Sequence, residues 1–272
     1  MSAPDWQSFR SVFPAVNEST YLMTARRGPL SVPARRAIER ILDEHTHRPG
    51  ELVFVWRDHE RVVGDKVARY LGASPKSIAL TPSATAGLAL AANGIVWKEG
   101  DEVVLPSIEF PANVYPWMQL ERHGVKLRRI PPNALGVVTA AMLLEAITPR
   151  TRVVTASHVS FLNGYRIDVA ALAAGCRKRG VLSVIDAAQT GGWMAIEFDA
   201  LGCDVLVGLA QKYFCFPDGL GFFLIRPDAM NVIKPSAPGK MSVKHYNEFL
   251  DHRLDYSEDA WRFVSGSMAT PQ

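Results

Sequence analysis

The stretches VLSVIDAAQTGG (residues 181–192) and DVLVGLAQKYFCF (residues 204–216) decide the fold. Each opens on a short apolar run, Val181–Ile185 in one and Val205–Val207 in the other. Each run then stops on residues that a core does not need: Asp186 and Gln189 after the first, Gln211 and Lys212 after the second. Apolar runs without strict alternation suit strands covered on both faces, as in parallel sheets.

Working outward, the same rhythm recurs. Ile78–Leu80, Val103–Leu105, Val125–Ile130, Val153–Ala156 and Phe222–Ile225 are further strand-like runs. Between most of them lie segments of helical length: Thr85–Val96, Asn113–His123, Ala140–Ile147 and Val169–Lys178. Upstream, Ser31 reads as an N-cap with Pro33 in the first turn, and Ala37, Ile38, Ile41 and Leu42 keep helical spacing. Arg57–Leu71 reads as a second helix, stopped by Gly72. From Lys234 onward the chain is polar and interrupted by Pro and Gly, which predicts loops with one helix around Val243–Leu250. This βα alternation predicts an α/β fold with a mainly parallel sheet between helical layers.

Composition narrows the class. At 272 residues the chain holds one large domain, or one large and one partial. With 48% hydrophobic and 21% charged residues it is an ordinary globular chain, not a disordered one. Thirty Lys and Arg against 27 Asp and Glu leave a charge of +3 with no basic block, which argues against a nucleic-acid partner. Cys176, Cys203 and Cys215 lack CxxC spacing, so neither a disulfide framework nor a zinc site is expected. The start, MSAPDWQSFRSVF, does not read as a signal peptide, and Ala86–Trp97 is too short to span a bilayer. No membrane association is expected, and a reducing cytoplasm is the expected location.

In open α/β sheets ligands bind beyond the carboxyl ends of the strands. Five strand ends here carry polar or aromatic residues: Thr81–Thr85, Ser107–Asn113, Ser157–Ser160, Asp186–Gln189 and Leu209–Lys212. A partly desolvated Lys212 has a lowered pKa, which favours a Schiff base with an aldehyde. Asp186 on the adjacent strand end could hold a pyridine nitrogen protonated, making the ring an electron sink. Taken alone, Lys212 reads first as a surface lysine and Asp186 as a helix N-cap, since perturbed groups are the minority. Ser83-Ala84-Thr85 at a helix start is an anion site or a plain N-cap. Phe110 stacks on a flat ring or packs in the core. GxSxG, HExxH, P-loop and GxGxxG patterns are missing, and no metal site is expected. His158 reads as a structural histidine near the rim, and Cys215, between Phe214 and Phe216, as a buried, inert thiol.

Taken in order, seven segments resemble the class V aminotransferase family of pyridoxal 5′-phosphate (PLP) enzymes, which includes cysteine desulfurases, kynureninase and isopenicillin N epimerase-like proteins. They are TYLMTARRGPLS, TPSATAGLAL, SIEFPANVYPW, SHVSFLNGYRIDV, VIDAAQTGG, DVLVGLAQKYFCFPDGLGF and RFVSGSMATP, running from about Tyr21 to the last residue. The resemblance implies a three-layer α/β/α PLP-dependent transferase-like large domain. It implies an N-terminal arm over 1–30, the large domain over 31–260, and over 261–272 the start of a C-terminal small domain that the chain does not complete. Lys212 is then the Schiff-base lysine and general acid/base, Asp186 the partner of the ring nitrogen, and Gln189 that of the 3-hydroxyl. Ala84 and Thr85 bind phosphate, Phe110 stacks on the ring, and Asn113 and Gln211 also face the cofactor. Ser267 reaches the phosphate of a neighbouring subunit, so a homodimer is implied.

The family often has Ser and His where this chain has Leu209 and Gln211, and desulfurases usually have asparagine where it has Phe161, with Asn163 two residues on. The implied activity is Schiff-base chemistry on an amino acid, of transaminase, lyase or epimerase type. The alternative is a truncated or degenerate PLP-binding domain with little turnover.

Overall fold

A computed structural model describes residues 5–266, and the side chains of all of these except 52–57. Seven strands form one sheet: β1 (Ile78–Thr81), β2 (Glu102–Pro106), β3 (Lys126–Ile130), β4 (Thr151–Ser157), β5 (Leu182–Asp186), β6 (Val205–Leu209) and β7 (Gly221–Ile225). Their order is β1-β7-β6-β5-β4-β2-β3. All neighbours pair in parallel except around β7, which is antiparallel to both β1 and β6. The mainly parallel sheet is therefore as expected. The order departs from β2 in both directions, so the topological switch lies between β2 and β4, where such sheets take their ligands.

The helices are α1 (Trp6–Ser11), α2 (Ala15–Glu18), α3 (Val32–His47), α4 (Pro49–Tyr70), α5 (Ala84–Gly94), α6 (Tyr115–Met118), α7 (Ala140–Glu145), α8 (Val169–Arg177) and α9 (Phe198–Leu201). One core layer packs Leu71 of the α4 C-cap, Leu143 of α7, Leu172 of α8 and Phe198 of α9 against Val104, Val154, Ile185 and Leu206 of the sheet. The other packs Leu88 of α5 and Trp117 of α6, with Trp261 and Phe263, against Val103, Val153, Val184 and Phe223. Strand residues alternate between the two layers while both faces stay dry, which explains apolar runs without polar alternation. Each large side chain buried this way contributes about 1.5–3 kcal/mol. Helix α5 lies close to the sheet because it is small at the contact: a Cβ on Gly87 would come within 2.7 Å of Val207 Cγ1.

Three expectations are corrected. The helix anticipated over Arg57–Leu71 begins at Pro49, because proline is pre-organised for a first turn and Glu51 sits favourably there. The helix anticipated over Asn113–His123 is broken into a 3₁₀ turn (Pro111–Asn113), α6, and a second 3₁₀ turn (Gln119–His123). Pro111 and Pro116 favour short first turns and cannot sit inside a continuous helix. No helix forms around Val243–Leu250. There Val243 bridges Tyr256, Lys244 N–H bonds the Asp255 carbonyl, and Lys244 and His245 pair with acidic side chains across the loop. Among the described residues no helix is long and apolar enough to cross a membrane.

Candidate active site

Lys212 sits in the turn between β6 and β7. That turn is closed by Ala210 N–H to Leu220 O (2.9 Å), Phe216 N–H to Ala210 O (3.1 Å) and Cys215 N–H to Lys212 O (3.0 Å). Cys215 adopts a left-handed conformation (φ 58°) to make it, an uncommon choice for a residue with a side chain. The Lys212 ammonium lies 5.8 Å from the centroid of the Phe110 ring. Burial lowers its pKa, and the negative charge of Asp186 opposes that shift.

Asp186 ends β5. It is buried, and burial raises its pKa against the pull of the Ala188 amide and of Lys212. The Ala188 N–H donates to Asp186 Oδ1 at 2.8 Å, so the turn after β5 fixes the carboxylate. Phe110 is 45% exposed and meets Phe161 edge-on, ring centroids 5.2 Å apart, so it belongs to the rim and not to the core. Phe161, noted in the sequence only as a replaced asparagine, thus braces Phe110.

At the start of α5, Ser83 Oγ accepts from the Ala86 N–H (3.1 Å) and Ser83 O from the Gly87 N–H (3.2 Å). That leaves the amides of Ala84 and Thr85 outside the cap, at the positive end of the helix. Asn113 is fully buried: its Oδ1 accepts from Thr155 Oγ1 (2.7 Å) and Trp117 Nε1 (3.2 Å). Gln189 Nε2 donates to Ala25 O (3.2 Å). Three buried polar atoms in this region have no hydrogen-bond partner of normal geometry: Asn113 Nδ2, Gln189 Oε1 and Gln211 Oε1. Lys212, Asp186 and Phe110 are thus brought together, and the other predicted residues line the same strand ends. Ser267 lies outside the described residues.

Two participants are less visible in the sequence. The carboxyl of Glu109 accepts from Ser157 N–H (2.7 Å) and Ser157 Oγ–H (2.5 Å). The segment from Ala25 to Gly28 lies over the lysine turn, with Gly28 N–H donating to Gln211 O at 2.7 Å. The segment lies within TYLMTARRGPLS, but apart from Gly28 nothing in it indicates contact with the lysine turn. Cys176 and Cys203 are fully buried with thiols pushed up to about 12, and burial also raises the thiol of half-buried Cys215. His158 is buried and held neutral, its pKa lowered to about 4 by burial and by Arg166.

A lysine and a buried aspartate on neighbouring ends of a three-layer α/β/α sheet, below an aromatic ring, define a class of cofactor-dependent enzyme folds. Residues 59–272 match the family Aminotransferase class-V, and the chain belongs to it. With that membership goes the cofactor, PLP. The chain is 29% identical over 259 residues to a probable cysteine desulfurase of Methanothermobacter thermautotrophicus, covering 94% of this chain and 62% of that one. It is 31% identical to an isopenicillin N epimerase of Amycolatopsis lactamdurans, covering 86% and 61%. A solved structure of a C-DES mutant with glycine covalently linked to its PLP cofactor superposes with a TM-score of 0.87 at 24% identity, over 98% of this chain and 70% of that one. The chain spans about three fifths of the length of the curated relatives it matches.

Proposed function

We propose that this chain is a PLP-dependent enzyme acting on an amino acid through Schiff-base chemistry at Lys212. The observation that carries the reading is the Lys212–Asp186 pair on adjacent strand ends facing Phe110. The unsatisfied atoms around it fit the cofactor. Gln189 Oε1 can accept from the 3-hydroxyl, and Gln211 can turn its amide toward phosphate. The Ala84 and Thr85 amides at the α5 N-terminus suit the phosphate, Phe110 the ring face, and Asp186 a protonated ring nitrogen. When bound, the cofactor supplies an electron sink for chemistry at the substrate α-carbon. Ser267 completes the phosphate site of a second subunit in a homodimer.

Lys212, with its proton affinity lowered by burial, is suited both to bond a carbonyl carbon and to hold or pass a proton at Nζ. Phe110 itself carries no titratable group and can offer a ring only stacking. Phe110, with the Glu-Phe-Pro-Ala-Asn run around it, leans toward epimerase-like or lyase-like chemistry.

The test is spectroscopic. Purified protein with PLP is expected to show the visible absorbance of a lysine-linked cofactor, and Lys212→Ala to lose it. A colourless protein that cannot be loaded would refute the reading. PLP binding without turnover on a broad amino-acid panel would favour a cofactor-binding domain of little activity.

A further inference from the structure

Glu109 lies beside Asp186 but outside the set of residues assigned to the cofactor. Its two carboxyl oxygens are both taken by one residue, Ser157, through the amide at 2.7 Å and the hydroxyl at 2.5 Å. Ser157 is the last residue of β4 and the register partner of Asp186, the last residue of β5. The next amide, His158 N–H, donates to the Asp186 carbonyl at 2.8 Å. One step of the β4–β5 ladder is thus held on its Ser157 side by the Glu109 carboxyl from the loop after β2, while its β5 side ends on Asp186. A clamp of this kind gives the ladder end a fixed position. It also brings two like charges under one rim, where low dielectric strengthens their coupling.

We propose that Glu109 is a positioning residue for the cofactor's ring-nitrogen partner: through Ser157 it holds the strand end register-paired with Asp186, and its charge strengthens the site's hold on positive charge on the bound cofactor. This rests on the PLP reading above. The groups that face Glu109 are few. Ser157 from β4 and Asn113 from the loop after β2 favour its ionised form, Asp186 from β5 disfavours it, and burial disfavours it most. Lys212 acts from beyond Asp186, which it favours in the ionised form. Tyr165 shares with Glu109, Ser157, Ser160 and Asn163 a cavity of about 20 Å³. That is room for a single water, through which the carboxyl can exchange its proton.

In this arrangement an ionised Glu109 adds a second negative charge to that of Asp186. The second charge favours the protonated, cationic form of the lysine-linked cofactor. Removing it lowers the pH at which that form is lost.

The experiment is a pH titration of the visible absorbance of the PLP-loaded protein, run with wild type, Glu109→Gln and Ser157→Ala. The amide of Glu109→Gln keeps the shape of the carboxyl and cannot ionise. The midpoint of that variant is expected to fall by about one pH unit, the size expected for a unit charge about 10 Å away at an effective dielectric near 20. Ser157→Ala keeps the carboxyl but removes the hydroxyl bond that favours its ionisation. Its midpoint is expected to move in the same direction by a smaller amount. A purely structural clamp would lower PLP affinity and thermal stability in both variants and leave both midpoints at the wild-type value, which would overturn the proposal. If Glu109→Gln does not fold, the Ser157→Ala midpoint decides alone. Failure of the wild type to bind PLP defeats the functional reading, whereas normal binding with unmoved midpoints defeats only this one.

Discussion

Burial works against charge on both members of the Lys212–Asp186 pair, and each supplies part of what the other lost from water. Neither residue was decisive alone, since a strand-end lysine or aspartate has ordinary structural uses; the ordered family motifs around them made the pair legible. Glu109 lies at one of the same strand ends, where no local pattern gives it a role. Its meaning comes from Ser157, 48 positions on, and no local pattern encodes that distance. His158 shows the opposite case, a buried histidine with a structural effect that can be measured. Its ordinary pKa near 6.5 is lowered to about 4 in the folded chain. A base whose folded pKa is depressed contributes stability that is fully present above its unfolded pKa and lost as pH falls through the folded one. Wild-type protein should therefore lose thermal stability between pH 6.5 and 4, and His158→Gln should lose less over the same window. Melting curves measured across that range test this. Parallel decline of both proteins would mean that the histidine is not held neutral.

At the scale of elements, α5 links fold and function most directly. Its N-terminus is made by Ser83, whose hydroxyl satisfies one amide and leaves two free at the rim. Ser83→Ala should cost about 1 kcal/mol of stability, roughly a 2–4 °C drop in Tm for a chain of this size. PLP affinity should fall with it, because the same turn presents the Ala84 and Thr85 amides. Thr139→Ala removes the equivalent cap of α7 (Thr139 Oγ1 to Met142 N–H, 3.3 Å) and should lower Tm comparably without weakening PLP binding. Equal affinity losses in the two variants would show that general loosening, not the α5 terminus, is responsible. The strands and α5 were readable because burial on two faces leaves a continuous apolar run. Residues 113–123 were not, since Pro116, with Pro111 just ahead, divides an apolar segment whose periodicity alone looks helical. Residues 243–250 were not, because backbone and side-chain pairing with Asp255 and Tyr256 outweighs a modest helical preference.

At the scale of the whole molecule, the site depends on contact between segments far apart in the chain. Gln189 bonds Ala25, Arg27 pairs with Asp218, and Gly28 bonds Gln211, so the N-terminal segment seats directly on the lysine turn. The Gln189–Ala25 bond alone joins residues 164 positions apart, and no local periodicity announces such contacts. Gly28 is the tightest point: a Cβ there would overlap the Lys212 carbonyl oxygen, and that oxygen belongs to backbone, not to a flexible side chain that could move aside. Gly28→Ala must therefore shift either the segment or the turn that carries Lys212. Positioning errors near an ångström are costly in such sites, so PLP affinity should fall by roughly tenfold or more. The cofactor-free Tm should change much less, because the segment adds little to the two core layers. Gly50→Ala, where an added methyl meets open space, is the matched control and should leave PLP binding unchanged. Absorbance titration with PLP and cofactor-free melting curves on both variants separate the outcomes. Wild-type affinity in Gly28→Ala would show that the lysine turn holds its shape without the N-terminal segment.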